Sequence, residues 1–207
     1  MHTITVVFLP APAGLTIAQE RLLNSAQKIF VQTMRHPVAD LLKDMRIEAV
    51  SMDDLFEASE DFDALNRAIA GRLCGQGGCA YIATGSIQSR QLPAIQKAAQ
   101  EHQFRVRVLP YLRAGEIAFA ERERAVTISA HDLPEQIDPE WNYVVEEIDT
   151  RIAAGEVKLF LSEFFPDEWA VTLASIGSDG MYALREIVLC DLDRQTAYDA
   201  TTILYIP

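Results

Sequence analysis

Residues 5–20 read TVVFLPAPAGLTIAQE: an apolar run with β-branched residues, a loop, and a stretch with helical periodicity. In an α/β protein the loop after the first strand is the usual meeting place of backbone and cofactor, because glycines there allow close approach. Here that loop is Phe8-Leu9-Pro10-Ala11-Pro12-Ala13-Gly14, with one glycine at its far end. Thr16 stands where an N-cap would, and Ile17, Leu22 and Leu23 are expected to face a core.

The same alternation continues outward. Residues 27–34 (QKIFVQTM) read as a second strand, and 36–45 (HPVADLLKDM) as a helix with proline in its first turn and Val38, Leu41, Leu42 and Met45 on one face. Residues 51–73 contain two helices with acidic starts, the second carrying Phe62, Leu65, Ile69 and Leu73 as a stripe. AYIATG (80–85) and FRVRVLP (104–110) are strands flanking a helix over 89–102. Strands separated by helices imply parallel pairing. From about residue 120 the texture changes. RAVTIS (124–129), NYVVEEI (142–148), EWAVTLASIG (168–177), REIVLC (185–190) and TTILYIP (201–207) are strand-like runs around one helix at 150–164, which predicts a mixed, mainly antiparallel sheet. The expectation is an α/β chain with a parallel N-terminal domain at 1–112 and a mixed-sheet α/β C-terminal domain at 117–207.

The 207 residues are 49% apolar, enough for a core, and carry a net charge of −12. Such a surface repels phosphate backbones and anionic membranes, so neither nucleic acid nor membrane is an expected partner. No apolar run approaches the roughly 20 residues of a membrane span, and the first residues lack a signal peptide's basic start. A cytoplasmic protein with three reduced cysteines is expected.

Five stretches in register, TMRHPVADLL, MDDLFEASEDFDALNRAIAGRL, EVKLFLSEFFPDEWAVTL, VLCDLDR and TTILYIP, resemble the tetrapyrrole methylase family across the whole chain. The likeness is greatest to the methylase-like domain ahead of MazG-type nucleotide pyrophosphohydrolase domains, which would begin where this chain stops. The resemblance implies a two-domain α/β fold, S-adenosylmethionine held in a cleft between the domains, a homodimer, and methylation of porphyrin-type or corrin-type ring carbons.

The cofactor loops depart from that pattern. Against a first loop resembling G-x-G-P-G-D, the glycines become Phe8, Pro10 and Pro12 and the aspartate becomes Ala13. Proline removes a donor and fixes φ, and Phe8 adds bulk. The second loop, ATGSIQS, keeps Gly85 but has Ser86 for an acid or histidine and Ile87 for proline. The third has Tyr111 and Arg113 in place of small residues after Leu109-Pro110. The resemblance thus assigns to the cofactor Ala11 and Pro12, then Gly85, Ser86 and Ile87, then Arg113, with Ala170 and Thr172 of WAVTL near the adenine end. Any ligand at Arg113 is expected to be anionic. Retained scaffold with altered loops suggests a binding or regulatory module, the alternative being an active methyltransferase.

Other signals have plainer readings. CGQGGC (74–79) has two thiols but lacks the four ligands of a structural zinc site, so it reads as a turn. His36 could contact a ligand or cap the helix that follows it, and the structural role is the plainer reading. His131-Asp132 could form an acid–base pair but reads better as a polar loop, the acidic run from Asp53 to Asp63 reads as solvated helix starts, and Glu146, Glu147 and Asp149 as candidates for a base or for surface.

Overall fold

Val6 and Phe8 point to one side of the first strand and Val7 and Leu9 to the other, and all four are buried. A strand apolar on both faces belongs inside a parallel sheet covered by helices on both sides. A computed structural model describes residues 2–85 and 91–207 and shows that arrangement. The chain divides into two compact units, Met1–Leu112 and Arg113–Pro207.

In the first unit the order is β1 (Thr3–Phe8), α1 (Ile17–Ser25), β2 (Ile29–Val31), α2 (Val38–Asp44), β3 (Val50–Ser51), α3 (Asp53–Ala58), α4 (Phe62–Cys74), β4 (Cys79–Ala83), α5 (Gln91–Glu101) and β5 (Arg105–Val108). The five strands pair in parallel in the order β3-β2-β4-β1-β5. Ile4, Val6 and Phe8 pack with Leu65, Ile69 and Leu73 of α4 and Ile95 and Ala99 of α5. On the opposite face Val7 and Leu9 meet Leu23 of α1 and Val38 and Leu42 of α2.

Helix starts follow their caps. Thr16 accepts from Gln19 N at 3.3 Å while Gln19 Oε1 accepts from Thr16 N at 3.0 Å, a reciprocal capping box. Asp61 accepts from Ala64 N at 2.6 Å, a local cap, whereas Asp53 and Asp54 before it reach farther along the chain. Asp54 pairs with Arg72 at 2.6 Å, and Asp53 accepts from Met34 N. The Cys74–Cys79 stretch is a turn in which Gly77 takes φ +79°. Both thiols are buried and free, and burial pushes Cys79 up to about 11, with Cys74 adding to it.

In the second unit α6 (Ala114–Ala118), β6 (Val126–Ser129), β7 (Tyr143–Glu146), α7 (Arg151–Leu161), β8 (Ala170–Ile176), β9 (Tyr182–Val188) and β10 (Ile203–Ile206) form a sheet ordered β6-β7-β10-β8-β9. Only β6 and β7 are parallel. Tyr143, Val145, Val171, Leu173, Leu204 and Ile206 face α7. Val144, Ala174, Ile203 and Tyr205 face α6 and Phe119. Among the described residues no helix is long and apolar enough to cross a membrane.

Several expectations need correction. Ile17 and Phe62 are the first residues of their helices and are 67% and 77% exposed; the buried faces begin two and three residues on, at Gln19 and Leu65. The second strand shrinks to Ile29–Val31, because the chain then turns to cap α2. The strand expected at 185–190 begins earlier, at Tyr182, and gives way to a 3-10 helix, Leu189–Arg194. Leu189 and Leu192 of that helix are buried three residues apart, matching the 3-10 repeat. The helix described after β4 begins at Gln91.

Candidate functional site

In an open parallel sheet, ligands meet the carboxyl ends of the strands where the connections diverge. Here β1 lies between β4 and β5, so that edge is formed by the chain after Phe8, Val31, Ala83 and Val108.

The chain after β1 is closed. Phe8 is 3% exposed, and its ring lies 5.2 Å from that of Tyr111, which follows β5. The two residues standing for small ones in neighbouring loops therefore pack on each other. Ala11 is fully buried, and Pro12–Gly14 forms a 3-10 turn in which Gly14 N donates to Ala11 O at 3.0 Å. Leu9 N donates to Ala83 O at 2.9 Å. The buried Gln19 donates from Nε2 to Phe8 O at 2.9 Å, so the side chain that caps α1 also seals the loop.

Just after β4 a different glutamine holds the two described amides. Gln32 Oε1 accepts from Thr84 N at 3.0 Å and from Gly85 N at 3.3 Å. After β2, buried His36 accepts from Val38 N on Nδ1 at 3.2 Å, the capping role expected of it. Asp53 ties this loop to α3. Burial pushes its carboxyl up, but hydrogen bonds from Ser51, Thr33 and Met34 N more than offset this and hold it below its ordinary value.

The second unit presents a concavity of about 610 Å³. Thr127, Val144 and Tyr205 form its floor, side by side on β6, β7 and β10 in a register row that continues to Thr172 and Glu186. Arg113, Glu116 and Phe119 form one wall, and Arg122 to Ala125 another. A Cβ at Gly115 would lie 3.0 Å from Val144 Cγ1, so glycine lets α6 approach the sheet this closely.

Of the residues assigned to a cofactor, Ala11 and Pro12 lie in the closed loop and the Gly85 amide is taken by Gln32. Ser86 and Ile87 lie outside the described residues. Arg113 belongs to the second unit and lines its concavity. Ala170 and Thr172 share a face of β8; Ala170 is exposed, and Thr172 is buried in the row beside Tyr205. The partner of His131 is Asp149 at 3.4 Å rather than Asp132. Glu147 accepts from Ser129 Oγ at 2.6 Å, and Glu146 is buried. Sequence reasoning missed Gln19, Gln32, Arg122 and Arg124. A polar residue at a buried helical position signals only Gln19. Among the described residues no group of three metal-ligating side chains gathers.

No protein-family model matches the chain. Its structure is similar to that of uroporphyrin-III-C-methyltransferase from Thermus thermophilus, with a TM-score of 0.72 over 100% of this chain and 94% of that one, at 20% identity. The fold is that of the tetrapyrrole methylases. A crystal structure of Uroporphyrin-III C-methyl transferase from Thermus thermophilus complexed with S-adenyl homocysteine gives a TM-score of 0.69 at 11% identity, covering 100% of this chain and 92% of that one. The methyltransferase CobJ gives 0.62 at 15% identity, with coverage of 100% and 94%. A curated relative, the uncharacterized protein YabN of Bacillus subtilis, is 27% identical over 221 residues, 99% of this chain and 44% of that protein. The chain thus spans less than half the length of that relative.

Proposed function

We propose that this chain is a tetrapyrrole methylase-like module with degenerate cofactor loops, serving binding or regulation rather than methyl transfer. The observation that carries the reading is the contact between Phe8 and Tyr111, which puts two aromatic rings where the family pattern has small residues. Methyl transfer from a sulfonium depends on alignment, and a cofactor cannot be aligned in space filled by side chains. Pro10 and Pro12 lack the N–H groups that a loop offers a ligand, and the Gln32 contacts occupy those of Thr84 and Gly85. The reading extends to the branch in which such a domain precedes a MazG-type hydrolase, which agrees with a relative, YabN, that is more than twice as long as the match.

A second reading is an active S-adenosylmethionine-dependent C-methyltransferase on a tetrapyrrole-like substrate. It is favoured by the similarity to a methyltransferase structure complexed with S-adenyl homocysteine. The two readings separate when the protein is incubated with uroporphyrinogen III and S-adenosylmethionine carrying a tritiated methyl. The module reading expects no tritium in the tetrapyrrole above a protein-free control. Incorporation proportional to protein concentration would establish the second reading instead.

A further inference from the structure

The concavity of the second unit differs in charge from the molecule that carries it. The whole chain has 18 Lys and Arg against 30 Asp and Glu, yet three arginines and two glutamates line this one depression. The glutamates are partly committed: Glu116 accepts from Arg113 N at 2.8 Å, and Glu123 accepts from Asn142 Nδ2 at 3.4 Å. Among the described residues, the guanidinium groups of Arg113 and Arg124 make no hydrogen bond or ion pair. Arg122 lies over the Tyr205 ring, 5.9 Å from its centroid, and 3.4 Å from exposed Glu186.

Beneath these cations the lining is apolar, with its two rings tilted 43° to each other. The rings of Phe119 and Tyr205 are 5.2 Å apart, and Val144 is packed against Gly115. Ligand sites of about 300 to 1,000 Å³ that accept small organic molecules combine this kind of apolar floor with a few convergent polar groups. Guanidinium presents a planar fork of donors suited to an oxyanion and stacks on ring faces.

We infer that this concavity is a binding site for a small organic anion, one with an apolar body against the lining of Phe119, Val144 and Tyr205 and an oxyanion held by Arg113 and Arg124. The assignment deepens the module reading and rests on it, by giving the binding function a location and a ligand class. The oxyanion is a carboxylate, sulfonate or phosphate, since the fork recognises all three.

Two probes with the same rings test it by calorimetry on the full chain: 1-anilinonaphthalene-8-sulfonate and uncharged N-phenyl-1-naphthylamine. The sulfonate should bind at one site per chain, about tenfold or more tighter than the uncharged compound. An Arg113→Gln/Arg124→Gln variant should weaken the sulfonate about tenfold. An Arg105→Gln/Arg107→Gln variant, with the same charge change at exposed positions of β5, should leave it unchanged. Equal affinity for the two probes would overturn the assignment, as would equal weakening by the two variants, which would mean only long-range charge. Its failure is separable from failure of the module reading, because transfer of labelled methyl bears on the latter alone.

Discussion

Phe8 shows how one residue at the end of a strand becomes part of the core. It ends β1 on the side packed by α4 and α5, is almost fully buried, and meets the ring of Tyr111. Truncating a buried phenylalanine costs about 3 to 5 kcal/mol, since apolar transfer and cavity terms add. Phe8→Ala should therefore lower stability by about 3 kcal/mol, read as a lower urea midpoint with unchanged slope. A loss under about 1 kcal/mol would mean the ring is a loose surface group and the loop is open. At this scale the sequence is legible where a residue acts on its near neighbours: Thr16 as a cap, His36 as a cap, Pro12 in a turn. It is silent where the partner is distant, as for Gln32, whose side chain reaches amides 52 and 53 residues along the chain. Helix ends can hide in the same way. Arg46 and Gln103 hold φ of 56° and 59° where glycine is the usual choice, with Ile47 N donating to Leu42 O and Phe104 N to Ala99 O.

The 3-10 helix Leu189–Arg194 is fixed to α7 by two polar contacts over buried leucines. Lys158 pairs with Asp193 at 2.7 Å, and Arg151 Nε donates to Asp193 O at 2.8 Å. The hydrogen bond from Lys158 is the main cause holding the Asp193 carboxyl below its ordinary value of 3.8. A carboxyl lowered by folding stabilises above the unfolded value, and that contribution is lost as pH falls through the folded one. Stability should fall more between pH 7 and about pH 3 in the wild type than in Lys158→Met, where Asp193 has lost its partner. Urea midpoints at the two pH values measure this, and an equal fall in both proteins would contradict the role given to the pair. Elements were legible in proportion to their length and periodicity. The parallel order of the first unit follows from alternation of strands and helices, and the mixed second sheet from closely spaced strand runs. β3 is two residues long, and α6 five, too short to carry a period.

Across the whole molecule, the tetrapyrrole methylase fold is retained while the carboxyl edge of its first sheet is filled from within. Two glutamines and two aromatic rings tie down the chain beside that edge, and both sheets keep their strand order. The fold was legible because five long stretches carry it. The candidate site was legible only as departures from the family pattern, since Phe8, Pro10, Pro12 and Tyr111 mark those departures but not what the side chains pack against. The concavity of the second unit was not legible beyond Arg113, because its floor joins three strands distant in sequence. The most direct test of the account is calorimetric titration of the folded chain with S-adenosylmethionine and, separately, S-adenosylhomocysteine. The closed loops predict no saturable heat at millimolar ligand, whereas saturable micromolar binding of either compound would contradict them.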